Sequence, residues 1–203
     1  MDGELAIKPL TPRRLPDLAA LFGQGGDPKW CWCAYFRVRG MNWSNSTAAA
    51  NRAVLTAAAR AGATRGRAPG LVAYHEGEAV GWVGLSPRED YDRLEHSTLL
   101  ARVDAKPVWS IVCFVVGRRA RGQGVAAALL AAAVAYARDR GATMLEAYPV
   151  DTAGGRVPSA NVYHGTLSMF ERAGFRVVER RQFNRSSPVR PIVRRGLRPR
   201  KSG

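Results

Sequence analysis

Acid is scarce in this chain. Sixteen Asp and Glu stand against 31 Lys and Arg, a formal charge of +15, so an unpartnered surface would face polyanions or water. Cysteine is scarcer still. Cys31, Cys33 and Cys113 supply neither a disulfide framework nor a zinc-ligand spacing, and Cys31 and Cys33 are only two apart around a tryptophan. A metal role is therefore not expected. No long hydrophobic run is present. The Ala-rich stretch after Gly124 is too short and too weakly apolar to span a bilayer, and MDGELAIKPL lacks a basic region followed by an apolar one. Internal repeats and low-complexity linkers are missing as well. These absences lead us to expect a soluble, cytoplasmic protein with no membrane partner.

What remains is globular. Hydrophobic residues make up 46% of 203, enough for one domain with a sizeable core and too many for a disordered chain. The positive charge is uneven: from Arg176 onward ten basic residues meet only Glu179. This reads as a solvated basic end or a surface for a polyanion. Phe183 is almost the only aromatic there, so a stacking platform for single-stranded nucleic acid is not supported.

Along the chain, Leu5–Leu10 suits a first strand. Thr11-Pro12 opens a helix carrying Leu15, Leu18, Ala19 and Phe22 at helical spacing. Lys29–Val38 is the densest aromatic segment. Large rings with few polar atoms suit either a core plug or the wall of a pocket. Ser46-Thr47 caps a second helix expected to end at Gly62. Leu71–His75 and Ala79–Leu85 flank Glu76-Gly77-Glu78, a hairpin signal. Ser86–Lys106 is mostly polar. Thr143–Val150 is a further strand, and Ser159-Ala160-Asn161 opens a helix to Ala173. Phe175–Phe183 and Val189–Leu197 close the chain as strands. The order β-α-α-β-β-β-α-β-α-β-β is mixed α/β around one sheet. Residues 1–197 are read as a single domain and 198–203 as a basic tail.

The chain is organised around Val108–Arg140. A β-branched run, Val108–Val116, feeds a turn dense in Gly and Arg, and an Ala-rich helix starts at Val125. The first N–H groups of a helix have no internal partner, and its dipole favours negative charge there. Glycine lets a phosphate approach the backbone, so this turn is an anion site.

Arg121-Gly122-Gln123-Gly124-Val125-Ala126, together with Met169-Phe170-Glu171-Arg172-Ala173-Gly174-Phe175 after the next β-α unit, resembles the GNAT superfamily of acyl-CoA N-acyltransferases. Arg119-x-x-Gly122-x-Gly124 also fits the first motif; Arg121 is preferred because Gly124-Val-Ala126 leads directly into Leu129-Leu130. The resemblance covers Leu5–Leu197 in element order. It implies a mostly antiparallel sheet flanked by helices, with one splayed parallel strand pair. It further implies acetyl-CoA as co-substrate, no metal, and transfer of an acetyl group to a primary amine of a small molecule or a protein. Pantetheine would lie along Val115 and Val116, the pyrophosphate on Arg121 to Ala126, and Asn161 would add a cofactor contact.

Two positions depart from expectation or need assignment. The family's usual proton-donating tyrosine matches Phe170, and a phenyl ring donates no proton. Tyr163, seven residues earlier on the expected helix, is the replacement donor considered. Glu146, an acid among apolar residues, is the general base expected from sequence. A backbone N–H near Val116 would receive the developing charge of the thioester oxygen. Trp30, Trp32, Tyr35 and Phe36 would shape the acceptor site, with the acidic loop Glu89–Glu95 beside them. Phe170 favours a second reading, an acyl-CoA-binding sensor or assembly module without efficient catalysis. The basic C-terminus favours a third, an RNA-associated acetyltransferase. Homodimerisation is left open.

Overall fold

The computed structural model describes residues 4–42, 44–152, 163–182, 184 and 189–198. Seven strands form one sheet: β1 (Ala6–Pro9), β2 (Gly70–His75), β3 (Glu78–Pro87), β4 (Trp109–Val116), β5 (Met144–Ala147), β6 (Arg176–Arg181) and β7 (Arg190–Gly196), in the order β1-β2-β3-β4-β5-β7-β6. Only β4 and β5 run parallel; every other neighbour is antiparallel. The mixed, mostly antiparallel architecture expected from sequence is present.

Helices cover both faces. α1 (Leu15–Gly23) and α3 (Ala48–Thr64) contribute Leu18, Phe22 and Leu55 to a core layer with Val72, Trp82 and Val112, and the short α2 (Pro28–Cys31) packs against both helices. On the other face α5 (Val125–Arg138) and α6 (Leu167–Arg172) bring Leu129, Ala133 and Phe170 against Val83, Ile111 and Phe114. A one-turn helix, α4 (Asp92–Glu95), interrupts the long β3–β4 connection. The Glu76-Gly77 turn has both φ angles positive, 49° and 83°, as a two-residue hairpin loop requires.

Two boundaries moved. Gly62 does not end α3, which continues to Thr64. A Cβ at Gly62 would lie 2.4 Å from the Arg67 carbonyl, so this glycine serves a close backbone approach. α6 starts at Leu167, with Thr166 accepting from the Met169 N–H and Gly165 at φ +77° before it. Tyr163 therefore precedes the helix and does not share it with Phe170. The helix start expected at Ser159–Asn161 lies outside the described residues, as does the tail from 199 onward.

A bulge in β4 positions the site. Gly84 pairs with Cys113 and Leu85 with Ile111, so Val112 is the extra residue. Val112 and Cys113 consequently face the same core layer, whereas Ile111 and Phe114 face the other. β5 pairs only with Trp109–Ile111, before the bulge. Beyond it the two parallel strands part.

Candidate active site

The parting of β4 from β5 leaves one edge of β4 beyond Ile111 without a strand partner among the described residues. Gly117 N–H donates to Val80 O on the β3 side. By the alternation of an antiparallel ladder, Phe114 and Val116 turn their peptide groups the other way, into the gap. Phe114 N–H reaches Tyr163 O at 2.6 Å, and Val116 O accepts from Arg121 Nε at 3.2 Å. Val116 N–H thus faces the gap, where an oxyanion donor was expected.

A cavity of ≈ 700 Å³ fills this gap and runs to the start of α5. Val115, Val116, Arg118, Arg121 and Ala126 line it, with Trp30 and Cys31 opposite and Tyr163, Thr166 and Met169 on a third side. Gly122 and Gly124 stand at φ +74° and +79°, and a Cβ on either would meet no protein atom within 4 Å. The turn is therefore glycine for its conformation and for open access. Ala128 N–H is the first to find a helical carbonyl, Gly124 O, which leaves the N–H groups of Val125, Ala126 and Ala127 without helical acceptors. Gln123 Nε2 ties the turn back to Arg119 O at 2.7 Å. Gly122, Gln123 and Gly124 form the turn at the cavity's rim, and the Val125 side chain is buried beneath it. Arg118 is part of the wall. Asn161 lies outside the described residues.

A second cavity, ≈ 400 Å³, is lined by Phe36, Arg39, Arg93, Tyr148, His164 and Arg190 among others. It shares Tyr35 and Tyr163 with the first. Two chambers joined at two phenols suit a donor and an acceptor that must meet. Partial burial, then Tyr35 and Cys113 nearby, pushes Tyr163 up to about 12, so it keeps its proton at neutral pH. His164 packs edge-on to Phe36 and against the Tyr163 ring, and its Nδ1 lies 3.0 Å from Val112 O. A carbonyl only accepts, so Nδ1 carries the hydrogen.

Of the expected acceptor-site aromatics, Trp30, Tyr35 and Phe36 line a cavity. Trp32 does not. It is 7% exposed, packs edge-on to Phe22 at 5.3 Å, and carries Arg52 over its ring. Phe170 is fully buried between Phe114 and Phe175, a core ring rather than a pocket residue. The acidic loop is also spent internally: Glu89 pairs with Arg102 and Asp92 with His96.

Glu146 has a different setting from that of a free base. It is 1% exposed. Its Oε1 accepts from Arg88 Nη1 at 2.9 Å and Tyr148 OH at 2.6 Å; its Oε2 accepts from Arg194 Nε at 2.7 Å. Neither cavity reaches it. Arg88 extends the network to Glu95 and to the Leu94 and Leu100 carbonyls, and Arg194 extends it to Asp104. Burial opposes ionisation of Glu95, but Arg102 and Arg88 outweigh it and hold its carboxyl below the usual range. The network clamps residues 88–104, whose middle part walls the smaller cavity. Sequence reasoning missed Arg88, since a lone arginine after a strand carries no periodic signal. Among its described residues the basic end from Arg176 onward is likewise not simply solvated. Arg180 pairs with Asp151, Arg181 binds Glu179 and the Ala101 carbonyl, and Arg195 donates to Ala173 O.

Among the described residues no His, Cys, Asp and Glu cluster could hold a metal, and no helix is long and apolar enough to cross a membrane. The Acetyltransferase (GNAT) family profile matches residues 32–166. No curated protein matches the sequence. Many solved structures share the fold. They include ribosomal-protein-alanine N-acetyltransferase from Brucella melitensis (20% identity, 95% of this chain and 99% of that one, TM-score 0.56). Another is yncA from Salmonella typhimurium, solved with its cofactor acetyl-CoA (15%, 98% and 98%, 0.58). A third is polyamine N-acetyltransferase from Drosophila melanogaster (14%, 96% and 100%, 0.60).

Proposed function

Because the chain belongs to the GNAT acetyltransferase family, we propose that it transfers an acetyl group from acetyl-CoA directly to a primary amine. The observation that carries this reading is the junction of the two cavities at Tyr35 and Tyr163. The larger cavity would take the co-substrate. The glycine turn and the free N–H groups of α5 fit a pyrophosphate, Arg118 and Arg121 add positive charge, and the open edge of β4 offers peptide groups to an extended amide chain. Acetyl-CoA supplies an activated thioester.

The residues at the junction serve the transfer. Val116 N–H would receive the negative charge that develops on the carbonyl oxygen. The amine nitrogen forms its bond to the acetyl carbon as the carbon–sulfur bond breaks; the thiolate gains a proton, and the proton lost by the nitrogen returns to the donor directly or through water. Tyr163, protonated and at the boundary of both cavities, is the donor assigned here. Phe170 is buried away from that place. Glu146 is assigned a positioning role through Arg88 and Tyr148.

Two experiments test this. Calorimetric titration should detect acetyl-CoA binding, and Gly124→Val should weaken it about tenfold or more, since a β-branched residue resists φ +79° and displaces the turn. Unchanged affinity would remove the turn from the site. Tyr163→Phe should lower kcat for thiol release by about a hundredfold with acetyl-CoA affinity retained. A variant as fast as the wild type excludes Tyr163 as donor. Acetyl-CoA binding without thiol release across a broad amine panel would favour the sensor or assembly reading.

A further inference from the structure

The smaller cavity is cationic. Arg39, Arg93 and Arg190 line it, and among the described residues no carboxylate does. His96 also lines it but is paired with Asp92. The segments that flank Tyr163 and Arg190 in sequence, 153–162 and 185–188, contain no Asp or Glu. Two guanidinium nitrogens here, Arg93 Nε and Arg190 Nη1, are shielded from water without a hydrogen-bond partner among the described residues. Arg93 is held in place, its guanidinium 3.8 Å from the Tyr35 ring centroid and its Nη2 bonded to Met41 O.

Unpaired shielded donors on a charged group are costly, and native proteins satisfy nearly all of them. Elsewhere Arg88 and Arg194, the two buried arginines, are saturated by carboxylates and carbonyls, although Arg138 Nε also lacks a hydrogen-bond partner among the described residues. Two of the five such atoms among the described residues, Arg93 Nε and Arg190 Nη1, belong to side chains that line the cavity where a second substrate would sit. A diamine would bring a second positive charge against three arginines. An amine carrying an oxyanion would instead place its anion against the guanidinium groups that line the cavity and leave its nitrogen for the tyrosine junction. A volume of ≈ 400 Å³ suits a small molecule.

Resting on the acetyl-transfer reading above, we propose that the acceptor is a small amine bearing a carboxylate or phosphate group, held by Arg190 and Arg93. The test uses matched amines: 4-aminobutyrate against putrescine, and O-phosphoethanolamine against ethanolamine, with thiol release from acetyl-CoA as readout. In at least one pair the oxyanion-bearing amine should have the higher kcat/KM by about tenfold or more. The responding pair tells carboxylate from phosphate. Arg190→Gln should shrink that ratio by about ten- to hundredfold, chiefly through KM. Arg39→Gln, on an exposed side chain, should shrink it less and guards against a misfolded Arg190 variant. Preference for the amine without oxyanion in both pairs, or equal losses for both members in Arg190→Gln, would overturn the inference while leaving acetyl transfer standing. If no pair is turned over, calorimetric binding of the four amines decides, and no tighter binding of the oxyanion members would overturn it. Failure to bind acetyl-CoA in a separate titration would strike the family reaction instead.

Discussion

Glu146→Gln is expected to lower the melting temperature by about 6–12 °C and to raise the acceptor KM. The carboxylate sits between two buried guanidinium groups and a buried phenol, with both oxygens engaged. Removing one partner of a buried ion pair leaves the other charge uncompensated, at a cost of about 3–5 kcal/mol. The lower end applies here, because Arg88 keeps Glu95 and Arg194 keeps Asp104. For a chain of this length, each kcal/mol is worth about 2–4 °C. Scanning calorimetry measures the shift. Substituting both members of the pair, Glu146→Gln with Arg194→Met, should cost less than the two single changes together, since Arg88 keeps Glu95 and the only charge left without its partner is that of the exposed Asp104. The kinetic readout separates positioning from proton abstraction. A base at Glu146 would tie the acid limb of kcat/KM to its titration, so the substitution would abolish or displace that limb. A clamp at Glu146 leaves the limb in place and moves KM. A melting shift below about 2 °C would mean that the arginines are compensated by other groups.

His164 should make the fold acid-labile well above the carboxylate range. Burial first, then the charge of Arg190, pushes its pKa down from 6.5 to about 3, against a smaller opposing effect of the Val112 carbonyl. The folded protein therefore refuses a proton that the unfolded chain accepts below pH 6.5. Stability contributed by the neutral imidazole is complete above pH 6.5 and is lost as pH falls toward 3. Each pH unit in that window costs about 1.4 kcal/mol, so unfolding at pH 4.5 should be easier by about 2–3 kcal/mol than at pH 6.5. Glu95 and Asp104, held below the usual range by their arginines, add their losses only at lower pH. Urea unfolding of wild type and His164→Asn at both pH values isolates the histidine. The variant should lack most of the slope between them. An imidazole NMR titration gives the independent answer: a folded-state midpoint near 6.5 would refute this account. The same burial keeps His164 neutral at working pH, so it adds no charge to a cavity already carrying Arg39, Arg93 and Arg190.

Local signals in the chain carry far. The strand, glycine turn and Ala-rich helix of 108–140 were legible because period, turn chemistry and helix-end chemistry are all short-range. From them followed the mixed α/β order and the anion cradle at the start of α5. The second motif, around Gly174-Phe175, placed the chain in its family. The hairpin at Glu76-Gly77 was legible for the same reason.

Tertiary structure decided what burial and pairing control. Glu146 reads as a poised base in isolation, but Arg88 lies 58 residues away and Arg194 48 residues away, and only the sheet brings them to its carboxylate. Tyr163 and Phe170 look like one helical face until Gly165 and Thr166 start the helix later. Trp32 and Tyr35 sit in one aromatic run, yet a left-handed turn at Trp32 and Cys33 sends the first into the core, while the second reaches the cavity junction. Part of the basic excess from Arg176 onward, read from sequence as solvated charge or a polyanion surface, is drawn inward: Arg181, Arg194 and Arg195 to carboxylates and carbonyls, and Arg190 to the smaller cavity. Composition counts charges, but whether each arginine meets water, a carboxylate or a vacant chamber depends on contacts between distant segments. Sequence alone thus determined the family of the chain and the glycine turn at the start of α5. The fold decided which side chains line the smaller cavity, and with what charge.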